Sequence, residues 1–183
     1  KHFAQKVITK IKAHALGARF CVAGARTILD VGGQDSKVIS LDENGRVAQF
    51  QMNDKCAAGT GRFLEIMAGS LGYSLDEFSA AASRSTQDIP INSMCAVFAE
   101  SEVVSLRNRG YAAADISRAI HLAISERLCG MLERNGIQDT VVFTGGVANN
   151  RFLVDMLADK IGRSVVVPDH PEIVGAIGAA LHR

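Results

Sequence analysis

The chain lacks any apolar run approaching the ~20 residues that a membrane-spanning helix needs. Its start, Lys1-His2-Phe3-Ala4-Gln5-Lys6, carries no signal-peptide pattern. A large excess of charge of either sign is also missing. Net charge is +1, with Lys and Arg spread along the sequence, which marks neither a nucleic-acid binder nor an anionic-membrane binder. No repeat or low-complexity segment is present, and Cys21, Cys56, Cys95 and Cys129 form no CxxC pair and no zinc-like spacing. The absence of G-x-x-x-x-G-K-[ST] excludes a P-loop. Gly59-Thr60-Gly61 is too short for a dinucleotide fingerprint, and the strand before it belongs to an antiparallel meander and not to a βαβ unit. The expectation is a cytoplasmic protein in a reducing setting. Its 183 residues, 48% hydrophobic, suffice for one good core and a small annex.

What is present reads as an α/β chain. Val7 to Leu16 has the spacing of an amphipathic helix closed by Gly17. Thr27 to Val31 is a short buried strand running into a glycine turn. Lys37 to Leu41 and Val47 to Met52 alternate on either side of Asn44-Gly45, a strong hairpin signal, so three strands in a meander are the simplest reading. Helices follow over Thr60 to Ser70, over a segment opened by the capping box Ser74-Leu75-Asp76-Glu77, from Cys95 towards Gly110, and from about Asp115 to Arg134. Then come the strand Thr140 to Phe143, a helix over Arg151 to Lys160, the strand Val165 to Val167 and a helix over Glu172 to His182. The order implies a mixed sheet.

The chain is organised around Gln51 to Phe63, which leaves a strand, passes through turn residues and presents Cys56 where a helix is expected to begin. Cys95 falls in the first turn of the helix N-capped by Ser93. Free backbone N–H groups and the positive end of the helix dipole at such places favour a thiolate, for metal binding or nucleophilic attack. A free cysteine in a cytosolic protein is most often a small buried hydrophobe. Cys129, in the helical series Ile116, Ile120, Ile124, Leu128, Met131, Leu132, and Cys21 fit that description. Two glycine turns end core strands, Asp30-Val31-Gly32-Gly33-Gln34-Asp35 and Thr144-Gly145-Gly146. Such turns let backbone N–H groups approach a phosphate, and Asp30 and Asp35 are placed to hold hydrated Mg²⁺.

Four segments together carry a family resemblance: Asp30-Val31-Gly32-Gly33-Gln34-Asp35-Ser36-Lys37, Met52 to Phe63 around Cys56, Cys95-Ala96-Val97-Phe98-Ala99-Glu100-Ser101-Glu102, and Phe143-Thr144-Gly145-Gly146-Val147. The chain resembles the activator ATPases of 2-hydroxyacyl-CoA dehydratases, a family that includes the ATPase subunits of benzoyl-CoA reductase. The resemblance implies an actin/Hsp70/sugar-kinase-like (RNase H-like) fold. It also implies a homodimer sharing one [4Fe-4S] cluster, and ATP hydrolysis that drives one low-potential electron from a ferredoxin or flavodoxin into the partner dehydratase. By the same resemblance Cys56 and Cys95 would ligate the cluster, and Gly32, Gly33 and Gln34 would form the second phosphate loop. Asp30 and Asp35 would lie near Mg²⁺ and its waters, Gly145, Gly146 and Asn149 would form the adenosine loop, and Glu172 would stand where relatives usually have glutamine near the adenine. Residues 1–25 then resemble the tail of a first ATPase domain whose phosphate loop is not in this sequence, and residues 26–183 the second domain. A sugar- or acyl-kinase-like phosphotransferase and a non-catalytic nucleotide-binding module are the alternatives.

Overall fold

The computed structural model describes residues 6–91 and 96–182. At its centre is a five-stranded sheet in the order β3-β2-β1-β4-β5. β1 (Thr27–Val31), β2 (Ser36–Leu41) and β3 (Val47–Asn53) form the antiparallel meander, while β4 (Val141–Thr144) pairs parallel with β1 and β5 (Val165–Val166) parallel with β4. β1, β2 and β4 are buried at every position, because helices cover both sheet faces. The polar members of the β2 alternation are therefore buried as well. Ser40 Oγ accepts a 2.6 Å hydrogen bond from Asn135 Nδ2, which removes the cost of enclosing it.

On one face pack α2 (Gly61–Leu71), α3 (Leu75–Arg84), α4 (Ala96–Asn108), α5 (Ala113–Asn135) and α6 (Arg151–Ile161), burying Leu29, Val31, Val38 and Phe143 of the sheet. On the other, α1 (Lys10–Cys21) and α7 (Val174–Ala180) cover Ile28, Ile39, Leu41 and Val142. Phe63, Phe78 and Phe143 are fully enclosed, each burial stabilising by up to about 3 kcal/mol.

Two of the helix signals hold in detail. Ser74 and Glu77 make the capping box, and Gly72 ends α2 with φ +76°. Gly17 behaves differently from its expected role as a stop. It lies inside α1, which runs on to Cys21, because a Cβ there would sit 2.0 Å from the carbonyl oxygen of Val174. Gly178 answers it from α7, where a Cβ would meet Ala13 O at 1.7 Å. The two glycines let α1 and α7 touch backbone to backbone, which outweighs glycine's poor helix propensity of about 1 kcal/mol. The last helix is correspondingly shorter than expected: Pro171–Ile173 is a 3₁₀ turn and α7 begins at Val174.

Candidate functional site

The parallel pairing of β1 with β4 brings the two glycine turns side by side. Gly145 adopts φ +87°, and a Cβ on it would lie 2.2 Å from Val31 O, so only glycine fits between the strand ends. Gly32 N–H closes the first turn onto Asp35 O at 2.9 Å. The carbonyls of Gly32 and Gly33 in turn accept hydrogen bonds, both 2.8 Å, from the N–H groups of Gly61 and Arg62 at the start of α2.

Beneath the turns runs a row of polar side chains across three neighbouring strands. Asp30 faces Lys37 on β2 and Thr144 on β4 in register. Thr144 Oγ1 donates to Asp30 Oδ1 at 2.8 Å, and Lys37 Nζ lies 2.6 Å from Asp30 Oδ2 and 2.8 Å from Asp35 Oδ1. His14 Nδ1 of α1 is 3.1 Å from Asp30 Oδ1 but is not aligned for a hydrogen bond, so this buried nitrogen has no hydrogen-bond partner among the described residues. Burial works against the Asp30 charge, yet His14 and Lys37 outweigh it and hold the carboxyl at about 2. Burial alone would lower the Lys37 pKa, but the Asp30 charge and the hydrogen bonds to Asp30 and Asp35 raise it. Both groups are therefore ionised, and Asp30, only 2% exposed, has its oxygens engaged. Asp35 is more open, its second oxygen 3.4 Å from the exposed Lys10 ammonium.

Two cavities meet at these turns, sharing Gly33 and Gly146. The first, about 530 Å³, is bordered by Asp30, Gly32, Asp35, Lys37, Gly145 and Glu172. The second, about 730 Å³, runs between α2, α3 and α6 past Asn149, with Leu64, Ala80, Val147 and Phe152 supplying apolar walls. The structure thus brings Asp30, Gly32, Gly33, Asp35, Gly145, Gly146 and Glu172 together, and puts Asn149 in the adjoining cavity. Gln34 is exposed at the tip of its turn and borders neither cavity.

Behind the larger cavity, Asn150 ties three helices together. Its Oδ1 accepts from Ser79 Oγ at 2.8 Å and from the Leu153 N–H at 3.1 Å, which caps α6. Its Nδ2 lies 2.8 Å from His121 Nε2, while His121 Nδ1 is 2.7 Å from Ser117 O. A neutral His121 carrying its proton on Nδ1 satisfies both contacts. Burial in an apolar setting pushes His121 down to about 4, against the Ser117 carbonyl, which favours the protonated form.

Cys56 is half-buried in the loop between β3 and α2. The helix it is expected to open starts at Gly61, five residues on, and the leading N–H groups of α2 are bonded to Gly32 and Gly33 and not free to favour the thiolate. What fixes the loop is Asn53, whose Nδ2 donates to the carbonyls of Cys56 at 3.0 Å and Ala58 at 3.1 Å. Cys95 lies outside the described residues. Among those described, no group of three or more His, Cys, Asp or Glu side chains is gathered to hold a metal. Cys129 is buried, and burial pushes its thiol pKa up, in keeping with a packing role.

Sequence reasoning gave no role to Lys37, Thr144, His14, His121 or Asn150. Lys37 and Thr144 do stand inside the segments that carried the resemblance. His14 and His121 have no local signal, since their partners come from distant elements.

A mixed sheet covered on both faces, with a two-turn cleft at the strand ends, is the arrangement of an actin-like ATPase fold, and two solved structures superpose on it closely. The activator of the 2-hydroxyisocaproyl-CoA dehydratase from Clostridium difficile with bound ADPNP is 44% identical, with TM-score 0.93 over 98% of this chain and 67% of that one. The Acidaminococcus fermentans (R)-2-hydroxyglutaryl-CoA dehydratase component A is 42% identical, with TM-score 0.92 over 97% of this chain and 68% of that one. Residues 1–182 match the model of the BadF/BadG/BcrA/BcrD ATPase family, and the chain belongs to that family. The activator of lactoyl-CoA dehydratase from Anaerotignum propionicum is 48% identical over 179 residues, which are 98% of this chain and 69% of that protein.

Proposed function

We propose that this chain is the nucleotide- and cysteine-bearing part of an ATP-dependent activator of a 2-hydroxyacyl-CoA dehydratase, which passes single electrons to that partner from a [4Fe-4S] cluster. The observation that carries the reading is the juxtaposition of a two-turn anion cleft with a cysteine loop bonded to the same helix. The Gly32–Gly33 turn that borders the cleft also holds the start of α2, and the Cys56 loop runs directly into that helix. Residues 26–183 then act as one ATPase domain, with α1 as its link to the other half of the cleft.

Within the cleft the smaller cavity takes the phosphates, bound by turn N–H groups of Gly33 and Gly146, and the larger takes the nucleoside against Val147 and Phe152. Glu172, which the resemblance puts near the adenine, borders the smaller cavity, and in this reading it contacts the nucleotide from the phosphate side. Asp35 is the carboxylate available to the waters of Mg²⁺, because Lys37, Thr144 and His14 already surround Asp30. Asp30 acts by fixing Lys37 and through it Asp35, and Gln34 reaches from its exposed turn towards the attacking water. A cube of iron and sulfide takes four thiolates, and Cys56 and Cys95 from each of two chains supply them. The cluster, when bound, stores and releases one low-potential electron, delivered to it by a ferredoxin or flavodoxin. On the side of the chain, nucleotide contacts reach the Cys56 loop through Gly33 O and the α2 start, so affinity that differs between two settings of α2 biases the cysteines.

The test is Cys56→Ser in anaerobically purified protein. Loss of the broad visible absorbance and of the low-temperature EPR signal after reduction, with ATP binding retained, is expected. A full-strength cluster in that variant removes Cys56 from the ligand set and with it the proposal.

A further inference from the structure

The Cys56 loop has a second neighbour that neither the cleft nor the cluster reading uses. β3 is an edge strand, and between it and α5 lies an open groove of about 480 Å³ bordered by Gln51 and Asn53 on one side and by Glu126, Arg127, Gly130 and Arg134 on the other. Arg127, Gly130 and Arg134 follow one helical face at spacings of three and four. Gly130, in the interior of a 23-residue helix, leaves room where a Cβ would lie 3.3 Å from Arg134 Nη1. The stem of Arg127 lies on the Cys56 loop itself: a Cβ on Gly59, which has φ +80°, would be 3.1 Å from Arg127 Cδ and 3.3 Å from its Nε. That Nε is buried and has no hydrogen-bond partner among the described residues. Asn53, on the opposite wall, is the residue that pins the Cys56 and Ala58 carbonyls.

A buried guanidinium N–H without an acceptor is costly and asks for one. Two forked guanidinium groups along one helical face match carboxylates, which they bind in pairs of parallel hydrogen bonds, better than they match a single point charge. Among the described residues the one acid bordering the groove, Glu126, is exposed and lies 3.4 Å from Lys160 of α6. The strand opposite the arginines, Val47–Asn53, carries no charge of either sign, so nothing there repels an acidic visitor.

We propose that this arginine-faced groove docks the acidic rim of the small electron-carrier protein that loads the cluster. The proposal rests on the cluster reading above and adds the place of entry. In the step it serves, one electron leaves the reduced centre of the carrier and enters the cluster beside Cys56; the carrier is oxidised by one electron, and no bond or proton changes hands. The arginines raise the encounter rate and hold the carrier against the loop, and both effects weaken as salt screens them.

The test is stopped-flow reduction of the oxidised, cluster-loaded protein by a reduced acidic ferredoxin, comparing wild type with Arg134→Glu and, independently, Gly130→Glu, which puts a carboxylate in the groove without touching the Cys56 loop. Cluster absorbance is recorded before mixing, and reduced methyl viologen, a cation, serves as the control reductant. The expected result is a second-order rate with ferredoxin lowered roughly tenfold or more at low salt in both variants, approaching wild type near 1 M salt, with no slowing by viologen. An unchanged ferredoxin rate in both variants overturns the docking assignment, as does equal slowing with viologen, which would mean a damaged cluster. A wild-type protein that holds no cluster at all overturns the parent reading together with this one, and the absorbance record tells that case apart.

Discussion

Replacing Lys37 with methionine keeps the volume and stem of the side chain and removes one charge. Lys37 is 1% exposed and its Nζ stands 2.6 Å from Asp30 and 2.8 Å from Asp35, so the substitution leaves a buried carboxylate facing only Thr144 and His14. Breaking a buried pair by removing one partner costs about 3–5 kcal/mol, most of it the penalty of the abandoned charge. The Asp30 carboxyl, held at about 2 against an ordinary 3.8, points the same way: His14 and Lys37 together favour its ionised form by more than burial disfavours it. Lys37→Met should therefore lose about 3 kcal/mol in urea unfolding at neutral pH, with an unchanged m-value, or roughly 10 °C in Tm for a chain of this size. The double variant Asp30→Asn, Lys37→Met should be more stable than Lys37→Met alone, because the uncompensated charge is gone. A loss below about 1 kcal/mol, or a double variant whose losses simply add, would refute the assignment of Lys37 as the counter-charge of the cleft.

Three further outcomes follow from the same geometry. His121, held at about 4 against an ordinary 6.5, leaves the unfolded chain binding more protons between those values, so stability should fall as pH drops through that window, by about 3 kcal/mol in all; below about 3.8 Asp30 adds a second loss as pH falls towards 2. Urea midpoints measured across this range check it, and a flat profile from pH 6.5 to 4 contradicts a neutral buried His121. Gly145→Ala drives a Cβ to 2.2 Å from Val31 O at a φ of +87° and should cost more than ~3 kcal/mol or prevent folding, read by circular dichroism and thermal melting. Asn150→Ala removes the α6 cap and orphans His121 Nε2, so a loss of about 2–4 kcal/mol is expected together with weaker nucleotide binding by calorimetry.

The meander, the capping box at Ser74 and the two glycine turns were legible because each is a local device: alternation, a four-residue cap, or a backbone conformation that glycine serves. The order of strands was also within reach, since short turns force β1 to β3 together. Legibility failed where the partner comes from far along the chain. Gly17 looks like a helix stop until α7 is placed against it, and only the parallel β1–β4 pairing shows that Lys37, Asp30 and Thr144 form one row. The same holds for Cys56. Its sequence neighbours suggest a helix start, but the first N–H groups of α2 are claimed by Gly32 and Gly33, which sit some thirty residues earlier in the chain. The thiol is presented by a loop whose carbonyls at Cys56 and Ala58 are tied down by Asn53 and against whose Gly59 the Arg127 stem lies.

The measurement that tests the account most directly is iron and acid-labile sulfide per chain in anaerobically prepared protein, read alongside its mass in solution. A cube ligated by two thiolates from each of two chains predicts about two iron and two sulfide per chain in a dimer, with both values dropping towards zero in Cys56→Ser. A metal-free protein, or one whose iron content ignores Cys56, would contradict it.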